Sequence, residues 1–237
     1  MSEIERRIPQ VLDRLQLRLA YAYLASGEIA EALAAFDRAA DDEPHAFEPS
    51  FMRGVILAQR GRLEEAFHAY VRAIEIAPAV AESYNNLGVV YWLQDDRDSA
   101  HRCFETALRY REHFPAATAN LGISYLAKGM THEALPCFEL AVRHQPRSAQ
   151  ATNNLGVAFC FRGAFGDAEA CFQRATRQDD QLAAPVRNLA HLYLSKGMEE
   201  EAQRSRAHAS SLTKNDSVTV PPFELCLDLV SRPFERA

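Results

Sequence analysis

The sequence predicts an all-α fold, a right-handed superhelical solenoid of six antiparallel helix pairs with a capping helix at its C-terminal end. Three observations lead to this fold class. The 237-residue chain aligns with itself when it is shifted by 34 residues. Each repeat contains two stretches of about 14 residues, roughly four turns, with apolar residues at helical spacing. Beyond the repeats, one more segment has helical spacing but no repeat pattern.

A few positions recur in every repeat and define it. The most regular position holds Ala32, Ala66, Ala100, Ala134, Ala168 and Ala202. Seven residues later come Ala39, Ala73, Ala107, Ala141, Ala175 and Ala209, and between the two lie Phe36, Tyr70, Phe104, Phe138 and Phe172. Earlier positions hold a small residue (Ala20, Gly54, Gly88, Gly122, Gly156, Ala190) and then a glycine (Gly27, Gly61, Gly129, Gly163, Gly197). Agreement at so many positions excludes chance.

This pattern resembles the tetratricopeptide repeat, in which an aromatic residue, Leu-Gly, Tyr, Ala, Phe and Pro stand at fixed offsets over 34 residues. The resemblance covers residues 13–216 as six units, namely 13–46, 47–80, 81–114, 115–148, 149–182 and 183–216. Residues 1–12 then form an N-terminal cap segment, and residues 217–237 a tail with an amphipathic helix. The departures are local: Arg53 replaces Leu, Asp95 replaces Gly, and Arg206 replaces the aromatic residue.

Physical chemistry accounts for the repeated positions. The glycine that follows each first helix adopts a positive φ at little cost and ends the helix. Small residues such as Gly88 and Gly122 let one helix approach its neighbour closely. Because one helix pair cannot bury its own apolar face, neighbouring pairs must stack. We expect the stack to curve into a superhelix whose concave groove is lined by the first helices.

Charge and hydropathy exclude several classes of partner and location. Lys and Arg number 26 against 32 Asp and Glu, a net charge of -6, whereas nucleic-acid binding needs a basic surface. The longest apolar run near the start, residues 19–25, is too short to cross a bilayer. It lies inside a repeat, so we do not interpret it as a signal peptide. We expect a cytoplasmic protein that has no membrane span and does not bind nucleic acid.

Cysteine and histidine spacing indicates no metal site. Cys103, Cys137 and Cys171 share one repeat position, and we favour packing over a metal or redox role. Equivalent helices in adjacent repeats lie at least ~8–10 Å apart, whereas a disulfide needs Cα atoms within ~7 Å. The five cysteines include no CxxC pair, and no zinc, phosphate-loop or Ser-His-Asp pattern is present. We therefore expect free thiols, no metal, no cofactor, no catalytic residues and no enzymatic activity.

Asparagines recur on the first helices, where the predicted groove lies. Asn86, Asn120, Asn154 and Asn188 occupy the same position in four successive repeats. An Asn amide both donates and accepts hydrogen bonds, so a ladder of them suits the backbone of an extended peptide. The ladder looks like that in the repeats of O-linked N-acetylglucosamine transferase, although no glycosyltransferase domain fits in this chain. A purely structural role for these asparagines is the alternative.

Apolar side chains share the same face of the first helices and extend the predicted partner-binding surface. The residues assigned to it besides the asparagine ladder are Phe51, Asn85, Val89, Trp92, Ile123, Leu126, Asn153, Val157, Phe161 and Arg187. Family members that clamp the carboxylate tail of chaperones carry Lys and Asn at defined groove positions. Because Asn85, Val89, Leu17 and Tyr21 stand there instead, a chaperone-tail clamp is disfavoured.

The tail and the repeats together suggest a function. Pro221 and Pro222 end the repeat pattern, and an apolar stripe from Phe223 to Phe234 predicts a helix. This helix either caps the last repeat or docks elsewhere. We predict a non-catalytic scaffold or adaptor that binds a peptide or a partner protein in the groove. The alternatives are a self-assembling homo-oligomeric scaffold and a regulatory subunit of an enzyme complex that binds through the convex face.

Overall fold

The computed structural model describes residues 15–213, and all regular secondary structure in that range is α-helical. The helices are α1 (Leu15–Ser26), α2 (Ile29–Asp42), α3 (Phe47–Gln59), α4 (Leu63–Ile76), α5 (Ala81–Leu93), α6 (Arg97–Tyr110), α7 (Pro115–Ala127), α8 (Thr131–His144), α9 (Ala149–Phe161), α10 (Phe165–Gln178), α11 (Ala183–Ser195) and α12 (Glu199–Thr213). The predicted all-helical fold of six helix pairs is confirmed. The predicted N-terminal cap segment and C-terminal capping helix lie outside the described residues.

The helices pack as consecutive pairs within two compact units. The N-terminal unit is residues 1–112 and the C-terminal unit is residues 113–237. In the N-terminal unit α1 pairs with α2, α3 with α4 and α5 with α6, and α3 also touches α5. In the C-terminal unit α7 pairs with α8, α9 with α10 and α11 with α12, and α9 also touches both α7 and α11. First helices of adjacent repeats are therefore neighbours within each unit.

A residue with positive φ ends most of the first helices, as the glycine pattern predicts. Gly129 in the C-terminal unit has φ of 74°. At the equivalent turn of the N-terminal unit, Asp95 has φ of 65°, a conformation that Asp tolerates better than most residues. Its carboxylate lies 2.7 Å from the guanidinium of Arg97, and the next residue, Asp96, caps α6 by accepting from the Ser99 N–H at 3.0 Å. The turn therefore forms without glycine.

The small residue of each first helix lies against the aromatic residue of the second helix in the same pair. A Cβ on Gly88 would stand 2.6 Å from the ring of Phe104, and one on Gly156 would stand 2.6 Å from the ring of Phe172. Both rings are fully buried, so neither has room to retreat. The small residues are thus required by close helix packing rather than by backbone conformation.

The departures from the repeat pattern lie where a different residue finds a partner or solvent. Arg53, which replaces Leu, forms an ion pair of 3.0 Å with Asp37 on α2. Arg206, which replaces the aromatic residue, is exposed on α12. Pro136, which cannot donate a backbone hydrogen bond, lies within α8, and the helix continues past it to His144.

Candidate functional site

An open cleft in the N-terminal unit is the candidate binding site. Its volume is about 550 Å³, and its walls come from α1, the starts of α3 and α5, and the end of α6. The residues that line it are Tyr21, Phe47, Glu48, Phe51, Met52, Ala79, Val80, Ala81, Glu82, Tyr110 and Arg111. Three repeats contribute to it, so the cleft exists only when the helix pairs are stacked.

Two carboxylates and one guanidinium are the charged groups of the cleft. The Tyr21 hydroxyl donates a hydrogen bond of 2.7 Å to Oε1 of Glu48. Arg111 forms an ion pair with Oε1 of Glu82, and both side chains remain partly exposed. Burial raises the pKa of Tyr21, and the neighbouring Glu48 raises it further, so this phenol stays protonated and acts as a donor. With two anions and one cation, the lining carries an excess of one negative charge.

Aromatic rings form much of the remaining wall. The Phe51 ring centroid lies 6.2 Å from that of Phe47 and 5.9 Å from that of Tyr70. Tyr110 stacks on Tyr84 with centroids 5.4 Å apart and planes inclined by 22°. Tyr110 remains 49% exposed, so the stack fixes one face of the ring and leaves part of the side chain to solvent. The cleft therefore presents ordered aromatic surface.

The asparagines predicted to read a peptide backbone are buried in the structure. Asn86, Asn120, Asn154 and Asn188 are at most 3% exposed, as are their neighbours Asn85 and Asn153. Nδ2 of Asn188 donates to Oδ1 of Asn153 at 2.8 Å, which links α11 to α9. Nδ2 of Asn85 donates to Oδ1 of Asn86 at 3.2 Å. These amides bond to each other between stacked helices, and a role in partner binding stays a prediction.

The predicted apolar surface divides into buried and accessible residues. Val89, Ile123, Leu126 and Val157 are buried and belong to the packed interior of their units. Those that reach solvent are Phe51, which lines the cleft, the half-buried Trp92 and Arg187, and Phe161, which is 44% exposed. The Trp92 ring is covered by the guanidinium of Arg97 at 3.8 Å from the ring centroid. Binding through these accessible residues also stays a prediction.

The described cysteines are free thiols that pack against the helix contacts. Cys103 and Cys171 lie with Cβ atoms close to the positions where Gly88 and Gly156 lack one. Burial raises the pKa of Cys103 and of Cys160 to about 12, and that of Cys137 and Cys171 to about 11. Such thiols are weak nucleophiles because the thiolate is the reactive form. Within residues 15–213 no three Cys, His, Asp or Glu side chains form a group suited to a metal ion.

The sequence interpretation missed most of the cleft. Glu48 and Glu82 stand at the same repeat position, 34 residues apart, and that coincidence of charge was a usable signal. Tyr110 and Arg111 lie at the end of a second helix, where nothing in the repeat pattern points to the groove. No helix of the described residues is both long and apolar enough to span a bilayer.

Two family models, each described as tetratricopeptide repeat, match the chain. One matches residues 17–81 and 120–183, and the other matches residues 50–113. No curated protein sequence matches the chain.

Several solved structures are similar in fold. The Cut9–Hcn1 hetero-tetramer of the APC/C superposes with a TM-score of 0.76 at 18% identity, over 85% of this chain and 40% of the other. This chain thus spans less than half the length of that protein. PilW, a type IV pilus biogenesis factor, gives a TM-score of 0.73 at 20% identity, over 87% and 96% of the two chains. YrrB, a TPR protein with an unusual peptide-binding site, gives 0.56 at 24% identity, over 76% and 93%.

Proposed function

The chain belongs to the tetratricopeptide repeat family, and we propose that it is a non-catalytic scaffold that binds a partner protein through the first helices of its repeats. The cleft of the N-terminal unit is the observation that carries this proposal. It is open to solvent, and Tyr21, Phe51 and Tyr110 line it. Aromatic anchors in a concave site dominate the binding energy of many protein interfaces.

The polar groups of the cleft suit recognition of a peptide. Glu48 and Glu82 are each held by one neighbour, Tyr21 and Arg111 respectively, so their positions are fixed before a partner arrives. Preorganised side chains lower the conformational entropy that binding would otherwise cost. The volume of about 550 Å³ lies within the usual range of ~300–1,000 Å³ for ligand sites. The fold relative YrrB is a protein with a peptide-binding site, which supports this reading.

Site-specific photo-crosslinking tests the proposal. A benzoylphenylalanine at Tyr110, which lines the cleft, should crosslink the partner when the full chain is irradiated in an extract of its native cells. The matched control places the same group at His68, whose side chain is 70% exposed on α4. We expect a protein adduct from position 110 and none from position 68.

The other results decide between the alternative functions. Adducts from position 68 alone would favour a regulatory subunit that binds through the second helices. Adducts consisting of a second copy of the chain would favour a self-assembling scaffold. Either result would overturn partner binding in the cleft.

A further inference from the structure

We propose that the cleft of the N-terminal unit accepts a positively charged side chain, arginine or lysine, from the partner peptide. The inference rests on the proposed function and specifies its ligand. The charged groups of the lining are Glu48, Glu82 and Arg111, so a cation is the charge that the site lacks. The site is therefore opposite in sign to a clamp for acidic peptide tails.

The two carboxylates have acceptor capacity left for an incoming cation. A carboxylate offers about four lone-pair positions on two oxygens. The Tyr21 hydroxyl bonds Oε1 of Glu48, and Arg111 bonds Oε1 of Glu82. A guanidinium is planar and bonds carboxylates through paired N–H groups, so it can use the remaining oxygens without displacing either neighbour.

The aromatic walls favour a cation over a neutral polar group. Tyr21 and Tyr110 both line the cleft and are 37% and 49% exposed. The face of an aromatic ring attracts a cation within about 6 Å of its centroid, worth ~0.5–1 kcal/mol at exposed sites. The aliphatic stem of Arg or Lys also suits the apolar lining of Met52 and Val80.

Arg111 opposes an incoming cation, but it does not cancel both carboxylates. It is 46% exposed and its partner Glu82 is 37% exposed, and exposed ion pairs of this kind are weak. Glu48 has no cationic partner in the lining, since its printed contact is the neutral hydroxyl of Tyr21. The attraction of two anions therefore exceeds the repulsion of one cation.

Amide chemical-shift mapping of the full-length chain tests the proposal with three small probes. The first is N-acetyl-arginine methylamide. The second is the citrulline analogue, which has nearly the same shape without the charge, and the third is N-acetyl-glutamate methylamide. The arginine probe should shift amides of residues 47–52, 80–82 and 110–111. We expect the citrulline probe to bind roughly three- to tenfold more weakly, which is the worth of one exposed charge contact.

Charge variants sharpen the test. In the double variant Glu48→Gln, Glu82→Gln, Arg111 is the only charge left in the lining, so the preference should reverse towards the glutamate probe. The control variant Glu75→Gln removes a carboxylate from the exposed surface of α4 and should keep the wild-type preference. Equal shifts with the arginine and citrulline probes, or no shifts at these amides, would overturn the proposal. So would concentration-dependent shifts without probe, because a second copy would then occupy the cleft.

The outcome is separable from that of the proposed function. A partner that crosslinks at position 110 while the arginine and citrulline probes bind equally would leave the scaffold function standing and remove the charge preference. A clear arginine preference without any crosslinked protein would support a cation site and count against partner binding there.

Discussion

The first helices of the two units carry the same repeat pattern but present different chemistry. Their second position holds Glu48 and Glu82 in the N-terminal unit and Ala116, Gln150 and Ala184 in the C-terminal unit. The N-terminal unit has an open cleft with carboxylates and aromatic rings. The corresponding helices of the C-terminal unit are joined by buried amides, with Asn188 bonded to Asn153 at 2.8 Å.

The difference separates the scaffold from the surface it displays. Both units keep the glycine-to-aromatic contact that brings the helices of a pair together, at Gly88 and at Gly156. Only positions outside that contact vary between the units. Substitutions in the shared contact should therefore affect both units alike, whereas substitutions in the amide cluster or in the cleft should affect one unit.

The largest expected effect is that of Gly156→Ala. The new Cβ would stand 2.6 Å from the buried Phe172 ring, and overpacking of this kind costs ~1–3 kcal/mol of unfolding free energy. Gly88→Ala meets Phe104 at the same distance and should cost about as much. Gly166→Ala is the control because nothing lies within 4 Å of its Cβ position. Chemical denaturation followed by circular dichroism measures all three, and unchanged stability of Gly156→Ala would contradict the contact.

The amide cluster of the C-terminal unit gives the next prediction. On the groove hypothesis, replacing Asn120 and Asn154 by Ala weakens binding of the crosslinked partner by ~1–3 kcal/mol through unpaired backbone groups, and leaves helical content unchanged. Both side chains are fully buried, so the structural alternative predicts lower stability and unchanged affinity. Titration calorimetry and thermal unfolding of the same double variant separate the two. Gln203→Ala, on the exposed side of α12, is the control.

The helix-ending turns provide a smaller and opposite pair of effects. Gly129→Ala places a β-carbon at φ of 74° and should lower the unfolding free energy by ~1–2 kcal/mol. Asp95→Gly relieves the same conformation at φ of 65°. It should raise stability by up to ~1 kcal/mol, because the exposed ion pair to Arg97 is weak. A destabilised Asp95→Gly would show that the carboxylate contacts outweigh the backbone strain.

The smallest effect concerns pH and Glu169 of the C-terminal unit. The Lys196 ammonium, followed by the Tyr193 hydroxyl, holds the pKa of this carboxyl below its ordinary value. A depressed pKa contributes stability that is present above the unfolded pKa and lost as the pH falls through the folded one. Lys196→Met should therefore make stability less dependent on pH below about 4.5. Arg204→Met breaks the exposed Glu200 pair and should leave the pH profile unchanged.

The sequence by itself determined the helix pairs and their contacts. A residue every 34 positions fixed where each first helix ends, and Gly129 and even Asp95 adopt the positive φ that the turn needs. The pairing of a small residue with an aromatic residue, as in Gly156 and Phe172, could also be predicted. These features depend on local conformation and on neighbours one helix away, and periodicity encodes both.

Only the tertiary structure decided which side chains on the first helices meet solvent. Periodicity assigns a residue to a face, but it does not show how far the next helix covers that face. Asn120 and Asn154 are therefore buried although they stand on the predicted groove side. The cleft joins Tyr21, Glu48, Glu82 and Arg111 from three repeats. Their proximity depends on how stacked helices are offset, which no single repeat encodes.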